Sequence, residues 1–168
     1  MKNLMTKKIT LCAIFSAFAL IVFILESLFP PIIIPGAKMG LSNVFIILGI
    51  IILGPWYGFA ILLVKILLGS VFAGNISAII YSLPAGLITC FFEVFLIYFT
   101  SRISILAISA LSAVINIIIQ NLTFCIVTGT WSYIIYSPYL SIIGLISGII
   151  VGFAVYLIIK KLPLEALK

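Results

Sequence analysis

Long apolar runs, interrupted by short clusters of proline, glycine and charged residues, fill almost the whole chain. The runs are continuous and about 20 residues long, which is the length of a helix that crosses a bilayer. Polar and apolar residues do not alternate within them, as they would in the strands of a membrane barrel. The pattern predicts six helices, at about residues 9–29, 38–53, 57–72, 76–99, 103–127 and 139–159.

The composition decides where such helices can exist. Hydrophobic residues make up 65% of the chain and charged residues 7%, and the mean hydropathy is +1.51. A soluble domain could not hide so much apolar surface, because part of any globule faces water. We therefore predict an all-α integral membrane protein, a compact bundle of six transmembrane helices that residues 1–168 form as a single domain.

Basic residues concentrate on one side of the predicted bundle. Six spans place both termini on one face, and that face carries seven basic residues, namely Lys2, Lys7, Lys8, Arg102, Lys160, Lys161 and Lys168. The opposite face carries Lys38 alone. The positive-inside rule then predicts that both termini are cytoplasmic. Topology thus explains the net charge of +6, and no nucleic-acid partner is expected.

Polar side chains within the predicted spans concentrate in the outer half of the bundle. An ionisable group inside a span is costly unless it is paired or hydrated, so each one is a candidate functional residue. We predict that these side chains line a substrate-binding pocket that opens outward, beneath a stiff, proline-rich loop. The predicted pocket residues are Glu26, Lys38, Asn43, Lys65, Tyr81, Ser82, Asn116 and Gln120.

Several of these residues also have a purely structural interpretation. Glu26 could pair with Lys38 or Lys65 in an ion bridge, and Lys38 could extend to the interface without a ligand. Asn116 and Gln120 could form hydrogen bonds between helices. The sequence leaves these alternatives open.

The inner half of the predicted bundle offers candidate contacts with other helices or proteins. Ala13 and Ala17, together with Ser16, form a patch of small residues that would allow another helix to approach closely, within this chain or from a partner. Glu93 also lies in this half, and we interpret it as a structural or partner contact rather than a ligand contact.

The residues of familiar active sites are missing from the sequence. It contains no His and no Asp, and Cys12, Cys90 and Cys125 lie singly in apolar runs. No GxxxxGK[ST] nucleotide-binding motif occurs, and the aspartate clusters that hold Mg²⁺ in prenyl diphosphate enzymes have no counterpart. We therefore predict that the chain is not an enzyme and holds no metal or cofactor. A binding and transport role is favoured, driven by a partner subunit or an ion gradient.

Two stretches resemble the Gx transporter family, whose members carry the name heptaprenyl diphosphate synthase component I. They read "ESLFPPIIIPGAKMGLSNV" and "KILLGSVFAGNISAIIYSLPAG", and the resemblance runs from about Ala13 to Gly152. It matches a basic residue of the family at Lys65 and a Tyr-Ser pair at residues 81 and 82. Where the family reads Ala-x-x-His-Asn-x-x-Gln, this chain reads "AVINIIIQ", so that Asn116 takes the place of the His and Gln120 is retained.

The resemblance implies a substrate-binding S component of an energy-coupling-factor (ECF) importer in the plasma membrane of a prokaryote. Such a subunit captures a scarce, vitamin-like molecule at its outer end, surrounded by membrane lipid. It then docks on a coupling transmembrane subunit that carries two ATPase subunits. The small-residue face of the first helix contacts the coupling subunit in such proteins, which implies that role for Ala13 and Ala17.

The expected ligand is a small amphipathic molecule. A lysine in an aromatic and aliphatic pocket suits an anion, because the cation offsets the desolvation of a carboxylate or phosphate. The family's link to polyprenyl and quinone synthesis implies an isoprenoid or quinone precursor. Two alternatives are a non-catalytic membrane subunit of a polyprenyl (heptaprenyl) diphosphate synthase and a self-sufficient channel or ion-coupled carrier.

Overall fold

A computed structural model describes residues 2–28, 40–100 and 103–162, with side chains from residue 4 onward. Within these ranges the regular structure is helical, and the chain forms six α-helices and one 3₁₀ helix. The α-helices are α1 (Lys2–Leu28), α2 (Asn43–Ile52), α3 (Pro55–Phe72), α4 (Ala78–Phe99), α5 (Ile105–Thr128) and α6 (Ser137–Lys161). The 3₁₀ helix, Trp131–Tyr136, lies in the connection between α5 and α6.

Five of the six α-helices are long and apolar enough to cross a membrane, which makes the chain a multi-pass membrane protein. The exception is α2, which has 10 residues and therefore rises only about 15 Å, half the thickness of a hydrocarbon core. It begins at Asn43, five residues after the predicted start of the second span. Gly40, with φ of 77°, and a turn at residues 41 and 42 precede it. The six crossings and the cytoplasmic termini stay predictions.

Although it is short, α2 lies in the centre of the bundle. It packs against α1, α3, α4 and α6. Its side chains contribute to two hydrophobic cores, because residues four apart, such as Ile46 and Ile50, share one face of a helix, whereas Ile47 and Leu48 point to another face. One core joins Ile46 and Ile50 to buried residues of α1, α3 and α4, and the other joins Ile47 and Leu48 to Val151 and Val155 of α6.

Helices α5 and α6 pack backbone against backbone. Three buried glycines of α6 recur every fourth residue, at positions 144, 148 and 152. A Cβ on Gly148 would lie 2.7 Å from Ala110 Cα and 2.7 Å from the Ser109 carbonyl oxygen, both of α5. The missing side chains therefore let the two backbones approach each other, as small residues do at membrane helix interfaces. We call this contact the glycine seam.

The outer surface of the bundle is apolar. Large hydrophobic side chains point away from the core on every long helix, among them Phe18, Leu67, Phe91, Ile126 and Phe153. A protein in water rarely leaves such a continuous apolar surface exposed. Lipid is the environment that this surface fits.

Candidate functional site

A polar cavity lies among helices α1 to α5, and we call it the binding cavity. Its volume is about 60 Å³, enough for about four water molecules. Six of the eight predicted pocket residues line it, namely Glu26, Asn43, Lys65, Ser82, Asn116 and Gln120. They reach one place because they lie near the end of α1, the start of α2, the middle of α3, the start of α4 and, in α5, from its middle towards its end.

Lys65 is the buried cation of this cavity and is only 6% exposed. Its Nζ donates a hydrogen bond of 2.6 Å to Asn43 Oδ1 and lies 5.9 Å from the centroid of the Phe23 ring. An ammonium group carries three N–H donors, so the bond to Asn43 leaves two. Asn43 fixes the direction of the ammonium group without neutralising its charge.

Glu26 joins the end of α1 to the turn that precedes α2. One carboxylate oxygen accepts a 2.7 Å hydrogen bond from the backbone N–H of Leu41, and the other accepts a 3.2 Å bond from Ser42 Oγ. The carboxylate lies within electrostatic range of Lys65, but the hydrogen bond of Lys65 goes to Asn43. Glu26 therefore shapes one wall of the cavity, by holding the turn in place.

The opposite wall comes from α4 and α5. Gln120 Nε2 donates a 3.3 Å hydrogen bond to Ser82 Oγ, which links these two helices. Asn116 lies one turn before Gln120 and also lines the cavity. Its amide makes no hydrogen bond to any residue that the structure describes. The unused donors and acceptor of Asn116 therefore remain available to a molecule in the cavity.

Apolar side chains complete the cavity, and no polar or charged signal in the sequence marked them. They come from three helices, and they are Phe23, Leu62, Ile66, Ala113 and Ile117. Gly86 also lines the cavity, and a Cβ there would lie 2.8 Å from Ile66 Cδ1. The signal that could have indicated this position is a glycine two residues after Pro84 in an otherwise apolar helix.

Two predicted pocket residues do not line the described cavity. Tyr81 packs edge-on against Phe124, with 5.5 Å between ring centroids, and Phe124 in turn packs against Tyr133. Tyr81 thus belongs to an aromatic row beside the cavity. Lys38 lies outside the described residues, so its position above the cavity stays a prediction.

The proposed partner surface on α1 is exposed at its two alanines. Ala13 and Ala17 face outward, whereas the neighbouring Ser16 is buried in the bundle. Glu93, interpreted from sequence as a structural or partner contact, is 3% exposed and lies in the interior. Burial favours the structural interpretation of Glu93 over contact with a partner.

Most of the chain matches a known protein family. Residues 15–158 match the family model of heptaprenyl diphosphate synthase component I. The chain belongs to this family. The match confirms the resemblance seen in the two sequence stretches, and it includes every residue that lines the binding cavity. Comparisons with curated proteins and with solved structures returned no match.

The family name denotes a component of a heptaprenyl diphosphate synthase. In this member of the family the cavity combines a buried ammonium group, neutral amides and aliphatic walls. Within residues 2–28, 40–100 and 103–162, no three or more His, Cys, Asp or Glu side chains form a group that could hold a metal ion. The described side chains thus fit the binding of a polar head group with an apolar body.

Proposed function

We propose that this chain is the substrate-binding S component of an ECF-type importer, which captures a small amphipathic anion in the binding cavity. The observation that carries the proposal is the environment of Lys65, a buried ammonium group beside the amide of Asn116. Among the described residues, Lys65 keeps two N–H donors without a partner and the Asn116 amide makes no hydrogen bond. Burying an ammonium group is unfavourable unless a partner compensates for its lost hydration. An anionic head group would supply that partner.

The size of the cavity limits which part of the ligand it holds. About 60 Å³ accommodates a carboxylate or a single phosphate group but not a prenyl chain. The apolar body of an isoprenoid or quinone precursor would extend along Phe23, Ile66 and Ile117 towards the rim. By the positive-inside rule, this rim faces outward, away from the lysine-rich termini.

Native mass spectrometry of the gently purified chain tests the binding role. The wild-type protein is expected to carry a small anion that Lys65→Met loses. Lys160→Met is the matched control, because Lys160 is exposed in the last turn of α6 and does not line the cavity. Lys38→Met tests the predicted second cation. An adduct missing from the wild type, or kept equally by Lys65→Met, would contradict the anion-binding cavity.

The partner surface is tested separately. The importer proposal assigns Ala13 and Ala17 to contact with a coupling transmembrane subunit, because both are small and exposed on α1. Ala17→Leu is expected to abolish co-purification of that subunit and its two ATPases. Ala60→Leu adds the same bulk at an exposed alanine of α3 and is expected to leave co-purification intact.

A second candidate function is a non-catalytic membrane subunit of a polyprenyl diphosphate synthase, favoured by the family name. The same co-purification distinguishes the two. Recovery of a soluble, aspartate-rich synthase in place of ATPases would favour the synthase subunit. Uptake into liposomes by this chain alone would instead indicate a self-sufficient carrier.

A further inference from the structure

A second and smaller polar space lies deeper in the bundle, and we call it the inner chamber. Its volume is about 10 Å³, enough for about one water molecule. The carboxyl group of Glu93 and the hydroxyl-bearing Ser109 and Ser147 line it. Asn43, which accepts the hydrogen bond from Lys65, lines both the inner chamber and the binding cavity. The two spaces are therefore neighbours across one amide side chain.

Glu93 has few groups near it that could compensate for a negative charge. The helices packed against α4 are α5, α3 and α2. Of the charged groups in these helices and in α4, the one that acts on Glu93 is Lys65 of α3, and the neutral thiol of Cys90 lies near Glu93 on its own helix. Lys65 directs its hydrogen bond to Asn43. Ser112 of α5 lies near Glu93, but its buried Oγ makes no hydrogen bond of normal geometry.

An ionised Glu93 would be a buried charge without a close partner among the described residues. Glu93 is 3% exposed, and Lys65, the buried basic side chain of the described chain, directs its hydrogen bond to Asn43. Glu26, by contrast, is only partly buried, and its carboxylate accepts two hydrogen bonds. Each uncompensated charge in a low-dielectric interior costs several kcal/mol. An anion-binding cavity next to a surplus negative charge is therefore unfavourable.

We propose that Glu93 is held in the inner chamber as a neutral carboxylic acid. Its proton leaves the positive charge of Lys65 available to pair with an anionic ligand. The acid O–H donates to a hydroxyl oxygen or to a water in the chamber. Lys65 then faces no negative charge from the inner chamber when the ligand enters. Glu93 is in this sense a positioning residue, because it sets the charge of the site without touching the ligand. Its role in binding rests on the proposed function, whereas its protonation does not.

Infrared spectroscopy tests the protonation on the full-length protein without any ligand. The chain suits the method because its acidic side chains are three Glu and no Asp. In sodium-free buffer near neutral pH, we expect the C=O band of a neutral carboxylic acid. The band should move to lower frequency when glutamate carries ¹³C at its side-chain carboxyl carbon. Glu93→Gln should remove the band, and Glu26→Gln should leave it in place.

Three outcomes would overturn the proposal. One is a wild-type spectrum without a label-sensitive band, and this result requires no variant to fold. Another is a band that survives Glu93→Gln and disappears in Glu26→Gln. The third is a band that sodium chloride abolishes, which would make the inner chamber a metal-cation site. If Glu93→Gln does not fold, Glu93→Asp replaces it, and its acid band should then no longer respond to labelled glutamate.

The consequence for binding is measured by the retention of the co-purified anion. In the wild-type protein, retention should fall by about tenfold or more once alkaline buffer removes the Glu93 proton, a change of about 1.4 kcal/mol. In Glu93→Gln, which mimics the neutral acid, the fall should be smaller than in the wild type, because the Lys65 ammonium is then the buried group whose charge alkali can still change. A pH-independent wild type would contradict the role of the proton. A protein without a bound anion would contradict the proposed function but leave the infrared result valid.

Discussion

Helix α5 takes part in two contacts of opposite character. Towards α6 it meets the glycine seam, where the backbone of Ala110 comes so close that Gly148 has no room for a Cβ. Towards α4 and the binding cavity it presents Asn116 and Gln120, which leave space for about four water molecules. The side of α5 that faces α6 is closely packed, whereas unfilled space lies beside the side that faces the cavity.

The difference shows which contacts hold the bundle and which remain free to bind. Close packing is the main source of stability between helices in lipid, because lipid gives no hydrophobic driving force for their association. The glycine seam can therefore fix α5 in the bundle. Because the seam holds α5, Asn116 on the cavity side of the helix does not have to hold the fold together, and its amide makes no hydrogen bond to a described residue. The following substitutions test this separation, from the largest expected change in unfolding free energy to the smallest.

Gly148→Leu is expected to have the largest effect. The added side chain would meet the Ala110 Cα and the Ser109 carbonyl oxygen, and backbone atoms cannot move away without separating the helices. We expect a loss of about 3 kcal/mol in unfolding free energy, measured by chemical denaturation in detergent. Ala60→Leu adds bulk at an exposed helical position and should change stability by about 0.5 kcal/mol or less. Equal effects of the two variants would show that the seam does not hold the bundle.

Asn121→Leu should cause the second-largest loss of unfolding free energy. Asn121 is 3% exposed, and its Nδ2 donates to the Tyr133 carbonyl oxygen at 3.1 Å and to Ser137 Oγ at 2.7 Å. It thus holds the 3₁₀ helix against α5, and its loss should cost about 2 kcal/mol. Ser137→Ala removes one of the two partners and should have a smaller effect. Faster proteolysis of the α5–α6 connection in Asn121→Leu is the second measurement, and an unchanged rate would contradict this role.

Gln120→Leu is expected to have a small effect on stability. It removes the 3.3 Å hydrogen bond to Ser82 between α5 and α4, and such bonds in membrane bundles contribute about 0.6 kcal/mol on average. A double-mutant cycle with Ser82→Ala measures the bond itself. A coupling energy well above 1 kcal/mol would favour the interpretation of Gln120 as a link between helices.

Particular residues show how far the sequence predicts this structure. The starts and ends of α3 to α6 lie within about two residues of the predicted spans, because long apolar runs and proline or glycine breaks are local signals. The polar layer was also predictable, since position along a helix fixes depth at about 1.5 Å per residue. Six of its members do line one cavity. The start of α2 was not predictable, because it depends on the turn at Gly40 and on the hydrogen bond that the Leu41 N–H donates to Glu26.

The direction of each side chain was harder to predict than its depth. Tyr81 and Ser82 are consecutive residues and point about 100° apart on α4, and Ser82 is the one that lines the cavity. Likewise Asn116 and Asn121 point about 140° apart on α5, so one reaches the cavity and the other the 3₁₀ helix. In an all-apolar helix no amphipathic pattern indicates which side faces the interior. The spacing "GLISGIIVG" was a usable signal for the glycine seam.

Asn116→Leu should change stability least and binding most. The amide has no hydrogen-bond partner among the described residues, so its removal should alter the unfolding free energy by about 0.5 kcal/mol or less. Retention of the co-purified anion should nevertheless fall by about tenfold or more. A polar group of the ligand that loses its hydrogen-bond partner in the cavity weakens binding by more than about 1 kcal/mol. Both quantities come from one preparation, by chemical denaturation and native mass spectrometry. A stability loss like that of Asn121→Leu with unchanged retention would make Asn116 a contact between helices, and α5 would then bind its neighbours on both sides.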